Sequence, residues 1–151
     1  NAKRAYHHTA PVNAMYALHE SLLIVQEEGL ENSWNRHYQN HLALRAGLEA
    51  MGLQFIVDEP HRLPQLNSVT IPGGVDDAAV RTRLLQEHHL EIGAGLGNLA
   101  GKIWRIGLMG HASRIENITQ CLAALDGVLT DMGADINSGA ALPASEKILA
   151  A

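Results

Sequence analysis

The stretch of sequence that decides the fold is Lys102-Ile103-Trp104-Arg105-Ile106-Gly107-Leu108-Met109. It is rich in β-branched and apolar residues and follows a glycine-rich segment, so it predicts a strand, the clearest one in the chain. Arg105 stands in the middle of these apolar residues. Because a guanidinium is always charged, it needs an anionic partner in such a strand. The stretch therefore predicts a strand and marks one candidate binding residue.

The pattern around Arg105 allows three interpretations. Its planar fork matches a carboxylate through two parallel hydrogen bonds, the geometry that an enzyme needs to hold an amino or keto acid. A structural salt bridge to a nearby acid such as Glu91 is the second interpretation, and an edge strand with Arg105 in solvent is the third. The pattern by itself favours a structural role, because buried ion pairs are commoner than substrate sites.

Helical periodicity predicts two long helices ahead of this strand and two shorter ones around it. Gly52 is predicted as a C-terminal cap, Asp76 and Asp77 are good N-caps, and Ser113 to Glu116 has the spacing of a capping box. The predicted helices are Val12–Glu28, Leu30–Met51, 78–88 and 113–133, and the further predicted strands are 53–57, 66–71 and 90–92.

This order predicts an α/β (α+β) fold in which helices cover one face of an antiparallel or mixed sheet, preceded by long helices. A chain of 151 residues is long enough for one compact core. We expect residues 1–29 to form an interdomain segment and a long helix, 30–133 a compact small domain, and 134–151 a loose tail. The chain opens without an initiator methionine, so we expect it to be a piece of something longer.

Composition excludes several classes of function. The formal net charge of −5 argues against nucleic-acid or anionic-membrane binding, which needs a basic face. No long apolar run or signal peptide is present, and the single Cys121 cannot form an internal disulfide. We therefore expect a protein of a reduced compartment, by default the cytoplasm, with a small-molecule or protein partner.

Three other features resemble functional sites, but we expect no nucleotide site, metal site or reactive thiol at them. The glycine-rich loop from Gly93 to Gly101 leads into a strand, whereas a dinucleotide fingerprint opens a helix, so we reject nucleotide binding there. His37 and His41 share a helical face but lack a third ligand at a telling distance, so we expect solvated histidines and no metal site. Cys121 lies on an apolar helical stripe and should be a buried, inert thiol.

Tyr6-His7-His8-Thr9 places two hydroxyls and two imidazoles just before the first helix. Donors near a helix start suit a phosphate or another anion. The same residues could equally form a turn and a helix cap. Both interpretations stay open on the residues alone.

Several motifs together resemble one family, the class V aminotransferases of the alanine-glyoxylate and serine-pyruvate type. The resemblance is collinear from about Tyr6 to Gly133. Its most specific segments are the one that begins at Tyr6 and the one that begins at Gly101. The motifs are Tyr6-His7-His8-Thr9-Ala10-Pro11-Val12, Gly29-Leu30-Glu31-Asn32-Ser33-Trp34, Arg62-Leu63-Pro64, Glu91-Ile92, Gly95-Leu96-Gly97 and Gly101-Lys102-Ile103-Trp104-Arg105-Ile106-Gly107-Leu108.

The resemblance implies the small C-terminal domain of a fold type I pyridoxal-phosphate enzyme, which acts as a homodimer. It implies that Arg105 binds the substrate carboxylate, and that Tyr6 and Thr9 contact the cofactor phosphate of the neighbouring subunit. It also implies, less strongly, that Trp104 and the loop 93–97 lie near the substrate entrance. The expected function is transfer of an amino group from alanine, serine or ureidoglycine to glyoxylate or pyruvate.

The chain departs from the family because the cofactor lysine and the aspartate that pairs with the pyridine nitrogen belong to a large domain that would precede Asn1. Lys3, Lys102 and Lys147 do not have the required context. We therefore expect no catalytic residue in this chain, no cofactor bound to it alone and no activity without the N-terminal large domain. The alternative is a free-standing small-molecule-binding or dimerisation module.

Overall fold

The structure, a computed structural model, describes residues 7–150. The chain divides into two compact units, Asn1–Trp34 and Asn35–Ala151. The division falls inside the second helix rather than after Gly29, where we predicted it. Between residues 7 and 150 the helices are α1 (Val12–Glu28), α2 (Leu30–Met51), α3 (Asp77–His88), α4 (Ile115–Asp131) and α5 (Ala141–Leu149), and the strands are β1 (Leu66–Thr70), β2 (Gly93–Ala94) and β3 (Ile103–Gly107).

The sheet is antiparallel, with the strand order β1-β3-β2. The predicted strand around Arg105 is therefore the middle strand, with neighbours on both edges. Ser68 of β1 and Gly93 of β2 lie directly opposite Arg105. In the next position along β3, Trp104 pairs with Val69 and Ala94.

The two faces of the sheet differ because successive side chains of a strand point to opposite sides. Val69, Trp104 and Ile106 join one apolar core with side chains of α2, α3 and α4. Arg105 points to the other face, beside Ser68 and Gly93. Helices thus cover one face of an antiparallel sheet, which confirms the predicted fold class. The core members contributed by those helices include Leu44, Leu48, Val80, Leu84, Leu122 and Leu125.

The sheet is smaller than the sequence predicts. Residues 53–57 form only an isolated bridge, between Phe55 and Val69, supported by backbone hydrogen bonds on either side of it. Beyond this bridge the segment is not a strand, and the carbonyl of Val57 accepts a hydrogen bond from the Nε–H group of Arg62 at 2.8 Å. The prediction of a strand at 90–92 is wrong as well, because pairing with β3 begins at Gly93.

The predicted capping box at the start of α4 is also wrong. The N-cap residue is Arg114, and no side chain caps the helix. Ser113 is fully buried, and its Oγ accepts a hydrogen bond from Nδ2 of Asn40 at 3.0 Å. The hydroxyl that was expected to cap α4 instead joins the loop after β3 to α2.

The stretch predicted as a loose tail contains α5, so that prediction is wrong for Ala141–Leu149. Ala141 is completely buried and Ser145 nearly so. The carboxylate of Asp126 in α4 fixes the turn that leads into α5, accepting bonds from the Gly139 N–H at 2.7 Å and the Ser138 hydroxyl at 3.0 Å. Small side chains allow this close packing but carry little hydropathic signal.

None of the helices described in residues 7–150 is long and apolar enough to cross a bilayer.

Candidate functional site

Arg105 is held by the sheet and has no acidic partner in the part of the chain that the structure describes. Its side chain is half-buried, and its Nε–H donates to the Ala94 carbonyl at 2.8 Å. Within residues 7–150 this is the only hydrogen bond of the side chain, and no carboxylate lies within ion-pair distance. The salt bridge to Glu91 and the edge-strand position are therefore not what the structure shows. Both Nη groups remain available for an anion.

The residues beside Arg105 are small. A Cβ atom built on Gly93 would lie 3.4 Å from Nη2 of Arg105, so the guanidinium extends over β2. The sequence did not single out Gly93 or Ala94 as partners of Arg105. The carbonyl of Ala94 belongs to the backbone and leaves no trace in residue type, so only the strand register could have revealed it.

The position of the Trp104 side chain contradicts a prediction. We expected it near a substrate entrance, but it is completely buried in the core on the opposite face from Arg105. Its Nε1–H donates to Oδ1 of Asp77 at 2.9 Å, and Arg81 forms an ion pair with the same carboxylate at 2.8 Å. The Arg81 guanidinium holds the pKa of Asp77 below its usual value, and the indole donor acts in the same direction. Trp104 therefore joins the sheet to α3.

The glycine-rich loop 93–101 packs closely against the start of β3. The N–H of Gly95 donates to the Ile103 carbonyl at 3.0 Å. A Cβ on Gly95 would lie only 2.0 Å from the Leu99 carbonyl oxygen and 2.9 Å from Ile103 Cγ1, so the loop folds over the start of β3. As predicted, the loop runs into a strand rather than a helix, which is the wrong context for a nucleotide fingerprint. Its place near a substrate entrance stays a prediction.

Of the two predicted phosphate contacts the structure describes Thr9, which belongs to the unit Asn1–Trp34 rather than to the unit that contains Arg105. Tyr6 is outside the described residues. Thr9 is exposed just before α1, and its hydroxyl makes no hydrogen bond within residues 7–150. The N-cap of α1 is Pro11, without a side-chain cap, so Thr9 does not cap the helix. Its contact with a cofactor phosphate stays a prediction.

The two helical histidines are buried, so the prediction of solvated side chains is wrong. His37 is 7% and His41 4% exposed. Nε2 of His37 accepts a bond from the Gly110 N–H at 3.0 Å, and Nδ1–H of His41 donates to the Asn67 side-chain oxygen at 2.6 Å. Each ring thus connects α2 to a different element. Among the described residues no group of three or more metal-ligating side chains is present.

Burial of His41 predicts a loss of stability in mild acid. Desolvation lowers its pKa from 6.5, outweighing the hydrogen bond to Asn67. The unfolded chain therefore binds more protons than the folded one as pH falls from about 6.5 toward the folded pKa. The contribution of His41 to the free energy of unfolding is fully present above about pH 6.5 and is lost as the pH falls through that window. Urea unfolding of the chain at about pH 7.5, 6.5 and 5.5 should show the decline.

His41→Gln should remove part of that pH dependence, because the amide does not titrate. The matched control is His61→Gln, at an exposed histidine, which should keep the wild-type slope. A His41→Gln chain that kept the entire wild-type pH dependence would show that another group is responsible.

Cys121 lies in α4 and is buried. Burial raises the pKa of its thiol to about 12. A thiol that stays protonated at neutral pH is a poor nucleophile. The prediction of a buried, inert cysteine is confirmed.

The chain is similar to known proteins over nearly its whole length, although no family model matches it. It is 45% identical over 143 residues to the (S)-ureidoglycine–glyoxylate transaminase of Bacillus subtilis, covering 95% of this chain and 34% of that protein. It is 40% identical over 127 residues to the alanine–glyoxylate aminotransferase of Felis catus, covering 83% and 31%. The crystal structure of the ureidoglycine–glyoxylate aminotransferase from Bacillus subtilis superimposes with a TM-score of 0.93 and 42% identity, covering all of this chain and 39% of that one.

The antiparallel sheet with its helices and the matched sequence define the class of protein: the chain is homologous to the C-terminal portion of class V aminotransferases. The relatives that it matches are of the ureidoglycine–glyoxylate and alanine–glyoxylate type. This confirms the resemblance found in the sequence. The chain spans about a third of the length of these relatives.

Proposed function

We propose that this chain is the C-terminal part of a pyridoxal-phosphate-dependent aminotransferase. It would transfer an amino group from a small amino acid such as alanine, serine or ureidoglycine to glyoxylate or pyruvate. The observation that carries the proposal is the Arg105 guanidinium, fixed in the central strand with both Nη groups available. The similarity to transaminases whose names specify ureidoglycine, alanine and glyoxylate supports the substrate class.

Arg105 acts by binding and orientation. Every proposed donor and acceptor carries a carboxylate, so one fork can hold each substrate in turn through two parallel charge-assisted hydrogen bonds. The bond from Nε to Ala94 keeps the guanidinium from rotating, so less conformational entropy is lost when the substrate binds. The same orientation places each substrate for the amino transfer.

Pyridoxal phosphate, when bound, supplies the electron sink for amino transfer. Among the described residues, the side chain that fits this cofactor is Thr9, whose hydroxyl has no partner and stands before a 17-residue helix. Tyr6 would be the second phosphate contact. The three strands of the sheet contain no lysine, and in this proposal the lysine for the cofactor comes from the preceding large domain.

The surface of α1 supports a partner for this unit. The helix has no buried residue in the described chain, and it exposes large apolar side chains, Met15, Leu18 and Leu22 among them, each at 58–61%. Apolar surface of this kind marks a site of protein contact. The proposed partners are the N-terminal large domain and a second subunit, which would receive Tyr6 and Thr9 as contacts to its cofactor. The proposed compartment is the cytoplasm.

Substitution of Arg105 tests the proposed function in the full-length enzyme that contains this chain. Arg105→Gln should raise KM about ten- to a hundred-fold for both the amino donor and the keto acceptor, because a charge-assisted hydrogen-bond pair is lost. Arg105→Lys keeps the charge without the fork and should give a smaller rise. Steady-state kinetics with alanine, serine and ureidoglycine as donors, and with glyoxylate and pyruvate as acceptors, measure the effect.

The matched control for this prediction is Arg83→Gln, at a partly exposed arginine of α3 that forms ion pairs with Glu87 and Asp131. Its KM values should stay as in the wild type. Unchanged KM values in a folded Arg105→Gln enzyme would remove Arg105 from the substrate site. Saturable binding of alanine or glyoxylate to the 151-residue chain alone, measured by calorimetry, would instead support a free-standing binding module.

A further inference from the structure

The guanidinium of Arg105 lies over a strand that has no side chain to obstruct it. Gly93 pairs directly with Arg105 across β2 and β3. A Cβ on Gly93 would stand 3.4 Å from Nη2, 3.4 Å from the Arg105 carbonyl oxygen and 3.5 Å from the Arg105 Cβ. The Cβ itself would stand at ordinary van der Waals distance, whereas the further atoms of a larger side chain would compete with the fork for the same space. A branched side chain at this position would displace the guanidinium.

The hydrogen bond from Nε to Ala94 restricts how the fork can be used. A guanidinium offers a carboxylate two bidentate edges, one made of Nε and one Nη, the other made of the two Nη groups. The Ala94 carbonyl occupies the Nε–H at 2.8 Å. A carboxylate is therefore left with the end of the fork, Nη1 and Nη2.

We propose that Gly93 is a positioning residue for Arg105: with the Ala94 carbonyl it sets the fork so that substrates bind end-on, through Nη1 and Nη2. This inference rests on the proposed function of Arg105. Gly93 itself touches no substrate and acts through the arginine. Its effect should therefore fall on binding of the carboxylate and not on other parts of the reaction.

The test is Gly93→Val in the full-length enzyme with its cofactor. The valine methyl groups reach about 1.5 Å beyond Cβ into the fork's space. KM for alanine and for glyoxylate should rise about ten-fold, while kcat stays within about two-fold, because the loss is one of uniform binding. Ethylamine, a donor without a carboxylate, should react at the wild-type rate. The visible absorption of the bound cofactor should be unchanged.

The matched control is Gly73→Val, since a Cβ there meets nothing within 4 Å and its φ is not positive. This variant should keep both KM values. A double-substitution cycle adds a readout that a merely structural role would not produce: Gly93→Val should raise KM no further in an Arg105→Gln background.

Additive effects in that cycle, unchanged KM values in a folded Gly93→Val enzyme, or an equal loss with ethylamine would each overturn the proposal. Should the valine variant fail to fold by circular dichroism, Gly93→Ser decides. Its single side-chain atom beyond Cβ competes with the fork for space, so KM should rise about two- to three-fold, and an unchanged KM would overturn the proposal. A wild-type enzyme without transaminase activity would overturn the proposed function instead.

Discussion

Replacing Trp104 by alanine should destabilise the unit Asn35–Ala151 by about 3–5 kcal/mol. The side chain is completely buried in the middle strand, where it packs among the residues of the apolar core. Its removal leaves a large cavity and also deprives the Asp77 carboxylate of the indole N–H. Both effects act in the same direction, because one removes packing and the other leaves a half-buried charge with fewer partners.

Urea unfolding followed by circular dichroism measures this loss of stability, since the variant lacks the buried tryptophan as a fluorescent probe. The chain supplies its own control in its other tryptophan. Trp34 is 61% exposed, so Trp34→Ala should change stability by no more than about 0.5 kcal/mol. Equal losses at the two positions would show that Trp104 is not the core residue that the structure describes.

Gly95→Ala should cost about 3 kcal/mol or more. Its Cβ would stand 2.0 Å from the carbonyl oxygen and 2.6 Å from the carbonyl carbon of Leu99, and these are backbone atoms that no rotamer change can move. The loop must then open, which breaks the bond from the Gly95 N–H to the Ile103 carbonyl at the start of β3. Overpacking costs of this order follow when the backbone itself must shift.

The measurement is the free energy of unfolding of the Gly95→Ala chain in urea. Gly73→Ala is its control, because it removes the same backbone freedom where a Cβ meets nothing, and it should leave stability unchanged or slightly higher. A Gly95→Ala chain as stable as the Gly73→Ala chain would contradict the close approach of the loop to β3.

The sequence predicted the long elements because their signals are local. Apolar residues at helical spacing gave Val12–Glu28 and Leu30–Met51 with the observed bounds, and the strand around Arg105 was found from its composition. Elements that depend on distant partners were missed. Residues 53–57 have strand-like composition, yet their pairing with β1 is limited to the bridge between Phe55 and Val69, which composition does not reveal.

The site was predicted in part. Arg105 stood out because a charge within an apolar strand is unusual, but its Nε partner is a backbone carbonyl that no residue type reveals. Trp104 was expected near a substrate entrance from the resemblance alone, whereas the structure buries it in the core. Its neighbour Ile103 is buried as well, under the loop of Gly95. Two adjacent buried residues hide the alternation by which a sequence indicates the faces of a strand.

The pleat of β3 also limits how this region can evolve. Trp104 belongs to the core and Arg105 to the opposite face, one residue apart. Lengthening or shortening this strand by a single codon within it would exchange their faces, placing a charge among the helices and an indole where a carboxylate should bind. Length variation between homologues should therefore fall outside Ile103–Gly107, where it does not turn the strand over.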